Sequence, residues 1–152
     1  MTLLIDADAC PVKDECYKVA RRCGLHVRVV SNSFLRVPVS ETVKRVVVSD
    51  GFDAADDWIA EHADPSSIVI TADILLAERC LKAGAQVLAP TGKPFTPDNI
   101  GAALATRAIM QDLRDTVVGG PGGGPAPFSA KDRSRFLSAL DAAQAKLKGG
   151  RR

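Results

Sequence analysis

The chain has 152 residues with 20 Lys and Arg against 18 Asp and Glu. It is 46% hydrophobic and 25% charged, which is ordinary globular usage and argues against disordered or fibrous classes. Aromatic residues make up only 5%, too few for a base-stacking platform of the kind that reads single strands. No apolar run approaches the roughly 20 residues of a membrane span. The opening MTLLIDADAC meets acids at once and lacks a basic region, so the expectation is a cytoplasmic protein without a secretory signal. Charge is unevenly placed. Residues 1–116 hold 13 Lys and Arg against 16 Asp and Glu, whereas residues 117–152 hold 7 against 2. A mildly acidic body with a basic tail suits a phosphate-rich partner or a solvated helix face.

Five short apolar runs recur along the chain: TLLID (2–6), HVRVVS (26–31), RVVVS (45–49), SIVIT (67–71) and QVLA (86–89). Each is rich in Val, Ile or Leu and lacks strict alternation, as in strands buried on both faces of a parallel sheet. Between them lie helical stretches at 11–23, opened by Pro11, at 53–63, and at 73–84, where Gly84 is the expected stop. Residues 32–44 are ambiguous because Pro38 interrupts them. A longer helix is expected over 97–115, again with Pro in its first turn. The pattern predicts an α/β fold: an open, mainly parallel five-stranded sheet with helices on both faces, plus a C-terminal helix.

The predicted layout is an α/β domain over 1–118, a Gly/Pro-rich hinge over 119–127, a helix over 128–148 and a basic tail over 149–152. Ser129 with Asp132 can cap the last helix. Phe136, Leu140, Ala143 and Leu147 recur at helical spacing and form an apolar stripe. That stripe predicts docking, through Phe128, Phe136 and Leu140, and competes with a free basic arm.

Each strand ends in polar residues: Asp6 and Asp8, then Ser31 and Asn32, then Ser49 and Asp50, then Thr71 and Asp73. In open α/β sheets, ligands bind beyond the carboxyl ends of the strands. Asp53, Asp56 and Asp57 open the helix after the third strand and point toward the same edge. Acids also suit helix starts as caps and dipole partners, so each alone is explained without a site. Two carboxylates about 4 Å apart repel by about 4 kcal/mol at an effective dielectric near 20. A cluster must therefore protonate, separate or bind cations. Oxygen ligands without histidine or thiolate favour Mg²⁺ or Mn²⁺. Cys10, Cys16, Cys23 and Cys80 form no CxxC, and His26 and His62 lack paired ligand spacing, which speaks against zinc. Reduced, mostly buried thiols are expected. A nucleophilic Cys10 would need a histidine base that the sequence does not place nearby.

DADACPV, GFDAADDWI, SIVITADILLA and GPAPFSAKDRSRFLSAL together resemble the small bacterial YaiI/YqxD family of uncharacterised proteins. That family is assigned to the PIN-like domain superfamily, whose better-known members are metal-dependent ribonucleases. The resemblance implies strand order 3-2-1-4-5, with Asp6 and Asp8 brought beside Asp73. It also implies an acid on the helix after the third strand, supplied by Asp56, with Asp53 and Asp57 as neighbours. The expected function is hydrolysis of phosphodiester bonds, with RNA the expected substrate. Asp6, Asp8, Asp56 and Asp73 would then be catalytic and hold Mg²⁺ or Mn²⁺. Asn32, Asp53, Asp57 and Thr71 would orient carboxylates or water, and Arg107, Arg114, Lys131 and Arg133 would hold phosphates.

Three other readings stay open. The first is a non-catalytic, metal-dependent RNA- or protein-binding module. Asp6-x-Asp8 also resembles haloacid-dehalogenase phosphatases, although Cys10 and Pro11 stand where their Thr or Val is expected. Asp50, Thr71 and Lys93 loosely match a phosphoacceptor receiver domain.

Overall fold

The structure is a computed structural model. It describes residues 1–7, 10–32, 37, 41–49, 54–116 and 129–149, with side chains described to residue 109 in the long helix and to residue 147 in the last. In chain order the elements are β1 (Thr2–Asp6), α1 (Lys13–Cys23), β2 (His26–Ser31), β3 (Val43–Val47), α2 (Ala54–His62), β4 (Ser67–Ile70), α3 (Ile74–Lys82), β5 (Gln86–Leu88), β6 (Pro94–Phe95), α4 (Ile100–Thr116) and α5 (Ala130–Gly149). The sheet order is β3-β2-β1-β4-β5-β6. The first five strands pair in parallel and β6 returns antiparallel to β5. The sheet thus has six strands, not the five expected. β6 is two residues long with Pro94 on the outer edge, where a missing N–H costs no ladder bond.

Alternation along the strands divides the interior into two cores. Leu3 and Ile5 of β1, Val27 and Val29 of β2, and Ile68 and Ile70 of β4 pack with Cys16, Val19 and Ala20 of α1 and with Phe136 and Leu140 of α5. Leu4, Val30, Val69 and Val87 point to the opposite face and meet Ile59 of α2 and Leu76, Ala77 and Cys80 of α3. Helices therefore cover both faces, which is why β1 and β4 carry no polar alternation. β3 lies at one edge, and its exposed Lys44 and Arg45 discourage pairing with another chain.

Helix boundaries follow local chemistry. Pro11 and Val12 form a turn and α1 starts at Lys13, two residues beyond the expected proline start. Gly24 ends α1 in the left-handed conformation, with its N–H on the Ala20 carbonyl. α3 ends at Lys82, ahead of Gly84 at φ 90°. α4 begins at Ile100 instead of near Pro97. The Asn99 N–H donates to Thr96 Oγ1 and the Thr96 N–H to Asn99 Oδ1, at 3.1 and 2.9 Å, a reciprocal cap. The Ile100 N–H bonds the Thr96 carbonyl at 2.9 Å, so Pro97 lies in the capped turn that leads into α4. Ser129 and Asp132 cap α5 reciprocally: the Asp132 N–H donates to Ser129 Oγ at 3.2 Å and the Ser129 N–H to Asp132 Oδ2 at 3.0 Å. Those bonds hold the Asp132 carboxyl below its ordinary range.

α5 packs against α1 and closes one core. Phe136 and Leu140 are fully buried, Ala143 is buried, and Leu147 packs at the margin. Phe128 and the 119–127 segment lie outside the described residues. Polar ties join the same helices. Arg22 pairs with Asp141, and Arg133 donates to the Pro11 carbonyl at 3.0 Å and to Glu15 Oε1 at 3.1 Å. No helix among the described residues is long and apolar enough to cross a membrane.

Truncating Phe136 removes the largest side chain from that core, and Phe136→Ala should cost about 3–5 kcal/mol of unfolding free energy. Urea unfolding measures it. A cost under about 0.5 kcal/mol, typical of exposed positions, would contradict the docked helix.

Candidate functional site

In the order β3-β2-β1-β4-β5, the chain reverses direction across the sheet between β1 and β4. That is the topological switch point, where the connections diverge and leave a crevice at the carboxyl edge. Ile5 is level with Ile70, so the next residues, Asp6 and Thr71, leave the paired strands side by side. Neighbouring strands are about 4.8 Å apart, within reach of two short side chains. Leu4 and Val69 face the α2–α3 layer, and two residues on, by alternation, so do Asp6 and Thr71.

The contacts agree with that register. Thr71 Oγ1 donates to Asp6 Oδ2 at 3.0 Å, and the same oxygen accepts the Asp73 N–H at 3.0 Å. Thr71 is fully buried and Asp6 is 8% exposed. Asp73 is the N-cap of α3: its Oδ1 accepts from the N–H groups of Leu75 and Leu76 at 2.9 and 3.3 Å. One hydroxyl therefore links a carboxylate ending β1 to the residue that starts α3. Asp73 commits one oxygen to the helix.

Asp56 and Asp57, in the first turn of α2, lie against α3 away from Asp73. Asp57 Oδ1 accepts from Arg79 at 2.9 Å. Burial pushes the Cys80 thiol up to about 11, with Arg79 pulling it down and the nearby Asp56 carboxylate adding to the rise. Arg79 and Cys80 lie six and seven residues beyond Asp73, about 10 Å along the helix axis. The first turn of α2 thus faces the middle of α3, while Asp73 lies at its start. Asn32 is exposed just after β2. Asp8, Asp50 and Asp53 lie outside the described residues, and with Asp8 goes the acid that the haloacid-dehalogenase reading needs. Among the described residues, no three His, Cys, Asp or Glu side chains form a group able to hold a metal ion.

A cleft of about 760 Å³ opens at the carboxyl edge. Ala72 and Ile74, which flank Asp73, line one wall; Ala89, Lys93, Thr106 and Arg107 line others. Arg107 is therefore at the cleft, as an exposed residue of α4, while the side chain of Arg114 is outside the described set. Lys131 is exposed on α5, and Arg133 is engaged with Pro11 and Glu15. Lys93, which sequence reasoning had set only in the receiver reading, also lines the cleft.

Cys10 is buried and hydrogen-bonded to Cys16; that contact holds its thiol below the ordinary value, while burial pushes Cys16 up. Both histidines of the chain lie toward the amino edge. His26 begins β2, and His62 ends α2, stacked on Trp58 with ring centroids 3.8 Å apart. Cys10 accordingly has no imidazole base. The receiver reading does not fit either. Flavodoxin-like sheets run 2-1-3-4-5, whereas here β1 lies between β2 and β4.

Thr71→Val keeps the shape but removes a donor to a buried carboxylate and an acceptor for the Asp73 N–H. It should cost about 1.5–3 kcal/mol, the range for bonds to charged groups. Chemical denaturation checks this, and a change below about 0.5 kcal/mol would mean that the hydroxyl holds nothing together.

Comparison with known proteins gives a family and no activity. The family model described as "Uncharacterized BCR, YaiI/YqxD family" matches residues 4–146. A "UPF0178 protein" of Sphingopyxis alaskensis is 67% identical over 148 residues, covering 97% of this chain and 96% of the relative. A "UPF0178 protein" of Azorhizobium caulinodans is 58% identical over 97% of this chain and 92% of its own length. One from Rhodopseudomonas palustris is 58% identical over 91% of this chain and 84% of its own. No solved structure matches. With nearly its whole length aligned to that model and to these relatives, the chain belongs to the YaiI/YqxD (UPF0178) family.

Proposed function

We propose that the chain is a Mg²⁺- or Mn²⁺-dependent phosphodiester hydrolase acting on RNA. The observation that carries the reading is that the Thr71 hydroxyl bonds both the Asp6 carboxylate and the backbone N–H of Asp73 at the switch point between β1 and β4, so two acid-bearing residues sit side by side in the chain's crevice. A crevice at that place is where open α/β sheets bind ligands. The resemblance to PIN-like domains supports the same chemistry.

Two described carboxylates, Asp6 and Asp73, offer the hard oxygen donors that a divalent cation takes, short of a group of three. Asp6 is a carboxylate at the mouth of a parallel sheet, and Asp73 caps α3 through Oδ1. Asp8 follows Asp6 by two residues in the sequence and is the further donor proposed, whereas Asp56 lies beside Cys80 of α3 and is left out of the set. All these donors are oxygens, the preference of Mg²⁺ and Mn²⁺. When bound, such a cation supplies Lewis acidity and offsets charge on the phosphodiester. Thr71 orients Asp6, while Arg107 and Lys93 hold the phosphates of the strand beside the acids.

Capping and ligation can be separated at Asp73, because Asn caps a helix about as well as Asp. Asp73→Asn should therefore fold normally. With Mn²⁺, purified protein should cleave an oligoribonucleotide, and chelator should stop it. Asp6→Asn and Asp73→Asn should each reduce cleavage to the uncatalysed background. Cleavage that persists in both variants, or that ignores chelator, would overturn the reading. Specific RNA binding with no cleavage under any metal would favour the non-catalytic module.

A further inference from the structure

α5 carries two stripes. Phe136, Leu140 and Ala143 enter the core. Lys131, Ser134, Arg135 and Ser138 recur at i, i+3, i+4 and i+7, so they share a second face. That face is exposed and forms one wall of a cleft of about 660 Å³, whose other wall is the turn Thr91–Gly92–Lys93. Among the described residues the lining thus holds three cations, three hydroxyls and no acid.

The two walls are held in fixed relation. The turn is closed by the Gly92 N–H on the Ala89 carbonyl and the Ala89 N–H on the Lys93 carbonyl, both at 2.9 Å. Gly92 has φ 90°, and a Cβ there would meet the carbonyl carbon and oxygen of Arg135 at 2.7 Å. Backbone therefore lies against backbone, and the position of Lys93 relative to Arg135 is set by that contact. Thr91 and Lys93 also line the carboxyl-edge cleft, so the two clefts adjoin at this turn.

We propose that the cleft between this turn and α5 binds the phosphates of a nucleic-acid strand that leaves the carboxyl-edge site across Lys93 toward Lys131 and Arg135. The inference rests on the nucleic-acid substrate proposed above, and not on hydrolysis. Among the described residues no aromatic side chain lines this cleft, so the contacts proposed are to backbone charge and read no sequence. Hydroxyls from Thr91, Ser134 and Ser138 complement the cations as phosphate donors. Arg133 is not part of this face; it ties α5 to Pro11 and Glu15.

The test is binding of a fluorescent single-stranded oligouridine to the full chain, titrated over a range of salt without divalent metal. Lys93→Gln/Lys131→Gln/Arg135→Gln removes the three cations at exposed positions. It should weaken binding on the order of tenfold at about 0.1 M salt and flatten the log–log salt slope by about 2, near 0.7 per lost contact. Ser134→Asp/Ser138→Asp, which adds repulsion and leaves every cation, should weaken it in the same direction. A control removing three cations elsewhere, Lys18→Gln/Arg21→Gln/Lys82→Gln, should change affinity less than about twofold. Wild-type affinity in both cleft variants, or an equal loss in the control, would overturn the site. Loss of binding only in the cleft variants, with no cleavage by the wild-type chain once Mn²⁺ is added, would support the cleft while sinking the hydrolase.

Discussion

β1 pairs in parallel with β2 on one side and β4 on the other, and the residue that leaves it must enter the crevice where the two halves of the sheet diverge. That residue is an aspartate, 8% exposed. A buried carboxylate is costly unless hydrogen-bonded, and the level register with β4 delivers the Thr71 hydroxyl to it. The same hydroxyl accepts the Asp73 N–H, so the β4–α3 turn is set by the acid on the neighbouring strand. Asp73 in turn starts α3. Sheet register, a buried acid and a helix start are thus a single arrangement, and changing any one of them disturbs the others.

α5 is the second organising element, and its two stripes do different work. Its apolar stripe completes the core over α1 and the central strands, because α1 alone leaves part of that face uncovered. Its polar stripe faces the β5–β6 turn, where Gly92 permits a backbone contact that no other residue allows without displacement. Acids accordingly gather at the switch point, while cations line the walls leading away from it. On the proposed reading, a cation held by the acids would offset their charge and that of a reacting phosphate, while flanking phosphates would meet Lys93, Lys131 and Arg135.

The strands and their parallel pairing were legible because β1 and β4 are buried on both faces and read as apolar runs, with Arg28 the one charge inside β2; the strand order itself was implied by the family resemblance. The acids after β1 and β4 were legible for a related reason: a charge at the end of such a run has nowhere to go but the sheet's edge. β6 was not legible, since two residues including a proline carry no strand signal and depend on β5 for pairing. Nor was the orientation of α2. Asp56 and Asp57 have the composition of site acids, but Asp57 meets Arg79 across 22 residues, a contact set by how α2 packs on α3. Arg133 had the spacing of a phosphate ligand, and its partners Pro11 and Glu15 come from the far end of the chain. The basic cleft was missed because half of it belongs to a turn whose approach to α5 depends on tertiary contact. Only the i, i+3, i+4, i+7 run from Lys131 to Ser138 pointed to it.

The proposal that the carboxylates of Asp6 and Asp73, whose residues both bond the Thr71 hydroxyl, share a cation is tested most directly by locating a bound ion. A crystal soaked in Mn²⁺ and measured at an anomalous wavelength should show density at the switch point. Carboxylate oxygens of Asp6 and Asp73 should lie within about 2.0–2.6 Å of the ion. A saturating soak that leaves this crevice without an ion, or sets Mn²⁺ only at other acids, would contradict the account.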